Sequence, residues 1–396
     1  MNLEPSLRRE VLSRDDAPSD PVLVERIRAE IRASGPMTFA RFMELALYDP
    51  ERGYYRSADA RPGREGDFLT APETHPIFGR LVARQLDEIW RLLGEPHPFV
   101  VREHGAGAGA LADAILNGLV ADSSRLLTAI RYQPVEVDDR RVEALTARVG
   151  SSGFAGVVDR PAGGIVGVVV ANEVLDALPV HRVEGRDGRL IETYVGLDGD
   201  RFVDVGGPPS TPELEARLKG ERVELADGQR GEISLAVDTW VADAAAALER
   251  GVMLLVDYGH EARDLYSTRR GAGTLLAYRG HRAHTDPYAS VGRQDLTAHV
   301  DFTAVDAAAR RAGLVAIGST TQAEFLVGLA IGDVLEEVRS NPATTAETYL
   351  PLRSALMRLL DPAATGGFRV VAYARGLPAD AGLRGFSYRV PRLPPR

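Results

Sequence analysis

The sequence predicts an α/β protein organised on a doubly wound parallel sheet. Two observations carry that expectation. From residue 99 onward, short β-branched runs alternate with helical stretches: strand at 99–102, helix at 110–119, strand near 131–137, helix at 140–149, a short strand near 156–159 and a stronger one at 165–171. Strand, helix, strand in that order winds a parallel sheet. The second observation is the turn after the first strand, Glu103-His104-Gly105-Ala106-Gly107-Ala108-Gly109-Ala110. Its alternate glycines can take positive φ and let backbone N–H groups approach a ligand closely. The helix beyond it, with Leu111, Ile115, Leu116 and Leu119 on one stripe, turns its N-terminus toward that ligand, as nucleotide sites do.

Residues 1–21 set Arg8, Arg9 and Arg14 against Glu4, Glu10, Asp15 and Asp16, with no apolar core. They read as a polar tail rather than a signal or transit peptide. Apolar residues Val24, Ile27 and Ile31 predict a helix at 22–33, and Thr38 caps another at 39–48. Asp49-Pro50-Glu51-Arg52-Gly53 is a turn, 54–69 an irregular loop, and 75–93 a long amphipathic helix. Residues 22–98 thus form an N-terminal helical cap ahead of a domain at 99–378.

Within that domain, the strand at 165–171 is all small or β-branched, so it is buried on both faces. Alternating segments at 180–184, 190–197 and 201–205 are joined by Asp187-Gly188 and Asp198-Gly199. They mark an antiparallel, half-exposed insertion over about 180–232, with loop and a short helix at 208–231. An Ala-rich helix at 235–249 leads to a buried strand at 251–257. Residues 258–300 show little periodicity and read as a long functional loop. Helix at 302–312, strand at 314–317, helix at 322–331, a helix at 351–360 with Pro351 in its first turn, and a strand at 368–374 complete the domain. Residues 379–396 are a Pro- and Arg-rich tail.

The chain has 396 residues, 44% hydrophobic and 26% charged, which suits one large domain or two unequal ones. A net charge of -9 argues against a nucleic-acid partner. The absence of cysteine removes disulfides, thiolate metal sites and Cys nucleophiles. No apolar run reaches bilayer length, so no membrane insertion is expected and the cytoplasm is the expected location. Lys219 is the lone lysine in an Arg-, Ala- and Gly-rich chain, a bias typical of a GC-rich bacterial genome.

Glu136 ends the second strand, where a carboxylate accepts hydrogen bonds from ribose hydroxyls. Asp138 and Asp139 follow, and one of them can cap the next helix. Asn172-Glu173-Val174-Leu175-Asp176-Ala177-Leu178-Pro179 leaves the end of the strong strand beside the glycine turn. Asn172 can cap that turn. Glu173 and Asp176, at i and i+3, would share a face of a helical turn. Together they could hold a guanidinium bidentately, or form a solvated acidic turn. Gly66-Asp67-Phe68-Leu69-Thr70-Ala71-Pro72-Glu73 precedes the long helix; Thr70 or Glu73 caps it, or the segment folds over a ligand. Asp257-Tyr258-Gly259-His260 could face the same crevice. His281, His284 and His299 match no metal motif, so no metal is expected and hydrogen bonding within their segment is preferred. Neither a nucleophile elbow nor a Walker A loop occurs. Gly105-x-Gly107-x-x-Ala110 fits a dinucleotide fingerprint as well as S-adenosylmethionine, and spacing does not separate the two.

Several unusual blocks stand out along the chain: Tyr48-Asp49-Pro50-Glu51-Arg52-Gly53-Tyr54-Tyr55, the Gly66 to Glu73 block, Asn172 through Val180, Val256-Asp257-Tyr258-Gly259, Gly273-Thr274-Leu275-Leu276-Ala277-Tyr278 and Gln294-Asp295-Leu296-Thr297-Ala298-His299-Val300-Asp301-Phe302. Together they resemble the MidA family of class I S-adenosylmethionine-dependent methyltransferases. They run in family order over about residues 22–330. The resemblance implies a Rossmann-like, seven-stranded class I methyltransferase sheet with an N-terminal helical cap and an antiparallel insertion. It implies S-adenosyl-L-methionine held by Glu103, Gly105, Gly107, Gly109 and Glu136; Asn172, Asp67 and Thr70 are further candidates for cofactor contact. Glu173, supported by Asp176 or Glu73, becomes the acceptor clamp. The family includes a mitochondrial protein arginine methyltransferase acting on a respiratory-chain subunit, so a protein acceptor of that kind is implied, and a homodimer is a further expectation. The chain departs from the family at Val174-Leu175, where a bulkier, more aromatic pair is usual, and at Asp138, where Ser or Thr is usual. An assembly protein retaining the cofactor fold and a small-molecule methyltransferase are the alternatives.

Overall fold

The computed structural model describes residues 19–56, 75–280, 282–342, 344–378 and 381–390. Among the described residues its central sheet has six strands rather than the seven expected: β1 (Phe99–His104), β2 (Ile130–Val135), β3 (Ile165–Asn172), β4 (Leu248–Asp257), β5 (Val315–Thr321) and β6 (Arg369–Arg375). Their spatial order is β5-β6-β4-β3-β1-β2. Neighbours among β1 to β4 run parallel, and β6 lies antiparallel between β4 and β5. The expected strand near 156–159 is a single bridge from Val158 to Tyr132. Gly156 at φ +79° and Pro161 confine that run to too few residues for a ladder.

Both faces of the sheet are covered, as a parallel sheet requires. Val168 and Val170 of β3 point to a layer holding helices Ile77–Leu92, Ala110–Ala121 and Asp139–Ser151, joined by helices from the C-terminal part. Val169 and Ala171 point to the opposite layer, with helices Ala236–Ala246 and Phe302–Arg311. Successive residues of a strand face opposite sides, so an all-apolar strand serves two cores at once.

At the N-terminal end, the Asp20 side chain accepts from Val22 and Leu23 N–H and caps helix Pro21–Ser34. Thr38 caps helix Phe39–Tyr48 as its sequence position predicts. The short strand Met37–Thr38 pairs with Arg189–Asp198. It thereby joins a five-stranded sheet with His181–Arg186, Arg201–Gly207 and Arg230–Ile233. The predicted hairpins are present, and 208–231 proves to carry part of a further strand. A separate core, including Ile27, Phe42, Leu47, Val195 and Leu296, binds these helices to the insertion.

Residues 258–300 are not one long loop. Leu276–Arg279 lies between Arg282–His284 and Asp295–Thr297 in an antiparallel sheet, and Gly259–His260 pairs with Val300–Asp301. Strands of two to four residues are too short to display alternation. The helix expected at 322–331 ends at Gly328; Ala330, at φ +63°, separates it from a second helix, Ile331–Ser340. Helix Ala346–Leu360 begins ahead of Pro351, which sits inside it rather than in the first turn. The carbonyl that Pro351 cannot bond belongs to exposed Glu347, where water can satisfy it.

Helices Ile77–Leu92 and Ala110–Ala121 cross at Gly79. A Cβ there would fall 2.4 Å from the Ala114 Cβ. Gly79→Ala is expected to destabilise the fold by about 1–3 kcal/mol through overpacking, with cofactor affinity little changed. Thermal denaturation alongside calorimetric titration checks both.

Candidate active site

The carboxyl ends of β1, β2, β3 and β4 converge on one crevice, where doubly wound sheets bind ligands. In the turn after β1, Gly105, Gly107 and Gly109 have φ of +66°, +53° and +81°. At Gly107 an added Cβ would meet nothing within 4 Å, so this face of the turn is open. The Gly107 N–H donates to Glu136 Oε2 at 2.9 Å, and the Val137 N–H to Oε1 at 2.9 Å. Glu136 therefore stands at the mouth of the turn. Glu103 lies beneath it, accepting from the Tyr132 hydroxyl at 2.5 Å. Burial pushes the Glu103 carboxyl up to about 7, partly offset by that bond. Asp138 accepts the Arg140 N–H at 3.0 Å and caps helix Asp139–Ser151, which accounts for an aspartate at that position.

Glu103, Gly105, Gly107 and Glu136 line a cavity of about 320 Å³ together with Asn172, Glu173, Arg141, His104, Trp240, Tyr48 and Tyr55, whereas Gly109 is not among its lining residues and packs toward Leu145. The Asn172 amide donates to Glu173 Oε1 at 3.0 Å, while its buried Oδ1 has no partner among the described residues. Arg141 stacks 5.8 Å above the Tyr55 ring and has one buried guanidinium nitrogen with no partner among the described residues. His104 packs edge-on against Trp240, and burial lowers it to about 4, so it is neutral.

A second cavity, of about 500 Å³, adjoins the first and shares Glu173 and Tyr55 with it. Its carboxylates are Glu173, Asp176 and Asp295, and its rings include Tyr258, Tyr278, His299 and Phe368. No arginine or lysine is among its described lining residues. Tyr55 donates to Asp295 Oδ1 at 2.8 Å.

The structure corrects how Glu173 and Asp176 come together. They do not share a helical face: Glu173 has φ +53°, and no helix forms over 173–176. The fully buried Asp257, at the end of β4, replaces the helix. Its Oδ2 accepts the N–H groups of Val174, Leu175 and Asp176 at 3.1, 2.9 and 3.3 Å, and its Oδ1 that of Tyr258 at 2.8 Å. Asp176 Oδ2 accepts the Tyr258 hydroxyl. Burial raises Asp176 to about 6.

His299 lines the second cavity and is lowered to about 4, first by burial and then by His260 and Arg270. His284 accepts the Asp286 N–H at 3.3 Å, hydrogen bonding within its own segment. Asp67, Thr70, Glu73 and His281 lie outside the described residues. Tyr55, Trp240, Tyr278 and Asp295 were not singled out as site residues from sequence. Three of them stand inside the blocks that carry the family resemblance, whereas Trp240 sits in an Ala-rich helix with no local signal.

A doubly wound sheet with a reversed strand near its edge, a glycine turn after β1 and an acid after β2 define the class I S-adenosylmethionine-dependent methyltransferases. The profile of a family described as putative S-adenosyl-L-methionine-dependent methyltransferases matches residues 81–320, and the chain belongs to that family. It is 31% identical to the mitochondrial protein arginine methyltransferase NDUFAF7 homolog of Drosophila melanogaster, covering 87% of this chain and 82% of the relative. It is 28% identical to the Homo sapiens NDUFAF7 protein arginine methyltransferase, covering 88% and 82%. A likely methyl transferase from Burkholderia thailandensis, solved with S-adenosyl-homocysteine, superposes with a TM-score of 0.83 at 35% identity, covering 94% of this chain and 98% of that one.

The first cavity fits the cofactor these comparisons imply. It has an open glycine backbone, an acid beside it, an unpartnered amide oxygen and a cationic guanidinium for a carboxylate. Glu136→Ala is expected to weaken S-adenosylmethionine binding by about tenfold or more, the loss of a hydrogen bond to a charged group. Isothermal titration reads this directly.

Proposed function

We propose that this protein transfers a methyl group from S-adenosylmethionine to an arginine side chain of a protein. One observation carries the reading. The cavity that meets the cofactor cavity at Glu173 is lined by three carboxylates and no described arginine or lysine, in a chain with 47 basic residues. Such a pocket favours a cation. A guanidinium stays protonated near neutral pH and presents a planar fork that carboxylates can engage bidentately. The tyrosine rings add faces on which a planar cation can stack. Relatives named as protein arginine methyltransferases support the same reading.

The assignment of roles follows. Glu103, Gly105, Gly107, Gly109, Glu136 and Asn172 hold the cofactor, with Asp67 and Thr70 as further candidates. When bound, S-adenosylmethionine supplies a methyl group already activated by its sulfonium, so no metal is needed. Glu173 orients the guanidinium at the junction of the two cavities, with Asp176 or Glu73 in support. The chain's main contribution is placement, which removes the entropy of bringing two reactants into line. A respiratory-chain subunit is the first acceptor to examine, on the strength of the family resemblance.

Glu173→Gln keeps the shape and removes the charge. It is expected to lower methyl transfer to arginine peptides by about 100-fold, the scale of a misplaced reactant, with S-adenosylmethionine affinity little altered. Equal losses in both would contradict the clamp. In cells, deletion of the gene should remove specific methylarginines from the proteome, and an unchanged methylarginine profile would contradict the arginine reading.

A further inference from the structure

We propose that Asp176 is the proton acceptor of the transfer reaction, through its Oδ1 atom, and that Tyr258 positions it by holding Oδ2. The inference rests on the arginine reading above. Methylation of a guanidinium must release one proton. As the nitrogen's electrons form the new N–C bond, the S–C bond breaks with its electrons staying on sulfur. The nitrogen's proton then passes to Asp176 Oδ1. Sulfonium, guanidinium and carboxylate become thioether, methylguanidinium and carboxylic acid, so net charge is conserved. The acid returns its proton to water in the open cavity.

Asp176 is distinguished from its neighbours by geometry. Its Oδ2 is occupied by the Tyr258 hydroxyl, while no N–H or O–H reaches its buried Oδ1 in hydrogen-bonding geometry among the described residues. Glu173 already accepts the Asn172 amide, and Asp295 the Tyr55 hydroxyl. The Tyr258 ring is fixed between His299 and Phe368, with ring centroids at 5.4 and 5.3 Å. Its hydroxyl therefore holds one oxygen and leaves the other without a donor, on a residue that lines the cavity beside Glu173.

The surroundings suit a base. Burial raises Asp176 to about 6, and the Tyr258 bond opposes that rise. Asp257, whose Oδ2 takes the Asp176 N–H, is itself pushed well above the usual carboxylate range by burial and then by Asp176 and Glu173, and Glu173 and Asp295 are the further acids of the cavity wall. Tyr48, Tyr55 and Tyr278 near it are held neutral by burial. His260 and His299 are lowered by burial, so they bring no positive charge near neutral pH. Asp176 is thus mostly ionised near neutral pH and still basic enough to take a proton.

Single-turnover rates on a library of arginine-centred peptides, from pH 5 to 9, test this. Calorimetric binding of acetyl-arginine amide to the S-adenosylhomocysteine complex runs alongside. Wild type should lose rate as pH falls through about 6. Asp176→Asn should lose about 10²–10⁴-fold in rate and the acid limb with it, while probe affinity changes only a few fold. Tyr258→Phe removes a bond that favours the charged carboxylate, so its acid limb should move to higher pH. If Asp176→Asn loses probe binding and rate in parallel with an unaltered pH profile, the residue is only a clamp and the proposal falls while the arginine reading stands. If wild type neither binds the probe nor methylates any peptide, the arginine reading fails and the proposal with it.

Discussion

The buried carboxylate of Asp257 is the fixing point of this site. A carboxylate removed from water is costly unless its oxygens are satisfied. Here four backbone N–H groups satisfy it, three of them from the turn that follows β3. The turn is thereby hung from the end of β4 rather than from its own hydrogen bonds. Glu173 can then hold a left-handed φ that would otherwise relax, and its own N–H is taken by the Val256 carbonyl at 2.9 Å. Two adjacent strands of the sheet thus set where Glu173 and Asp176 stand.

Two parts of the chain divide the work. The sheet and its glycine turn build the cofactor cavity from β1, β2 and β3. The second cavity adds to Glu173, Asp176 and Tyr258, which follow β3 and β4, walls from elsewhere: Tyr55 from the N-terminal segment, Tyr278 and Asp295 from the small sheet between β4 and β5, His299 just beyond that sheet, and Phe368 from the approach to β6. The Tyr48 hydroxyl donates to the Ala177 carbonyl at 3.0 Å and ties the N-terminal helices to the same turn. The N-terminal strand that joins the insertion sheet makes one body of these pieces. Embellishments on a common sheet thus shape the second cavity, while the sheet and its glycine turn shape the first.

Much of this was legible in the sequence, for physical reasons. Runs such as Ile165 to Ala171 are apolar on both faces, and only a doubly covered strand needs that. Thr38 read as a cap, and one of Asp138 and Asp139 as another, because short oxygen-bearing side chains suit that position; the structure settles on Asp138. The glycine turn and Glu136 were recognisable because backbone approach to a ligand constrains residue type. The small sheet after β4 was hidden because two- to four-residue strands carry no periodicity. Glu173 and Asp176 do line one cavity, but not through the helical turn their spacing suggested. A helical turn was assumed, whereas a carboxylate 81 residues away from Asp176 holds an irregular one. Trp240 and Asp295 reach the cavities only through tertiary folding, which no local pattern announces.

The central claim is that an arginine side chain enters the acidic cavity and meets the cofactor cavity at Glu173. A crystal structure with S-adenosylhomocysteine and an arginine-containing peptide tests it most directly. The account predicts the homocysteine sulfur near the Glu173 junction and the guanidinium between Glu173 and Asp176. A peptide bound with its arginine outside this cavity, or a cavity filled by some other part of the acceptor, would contradict it.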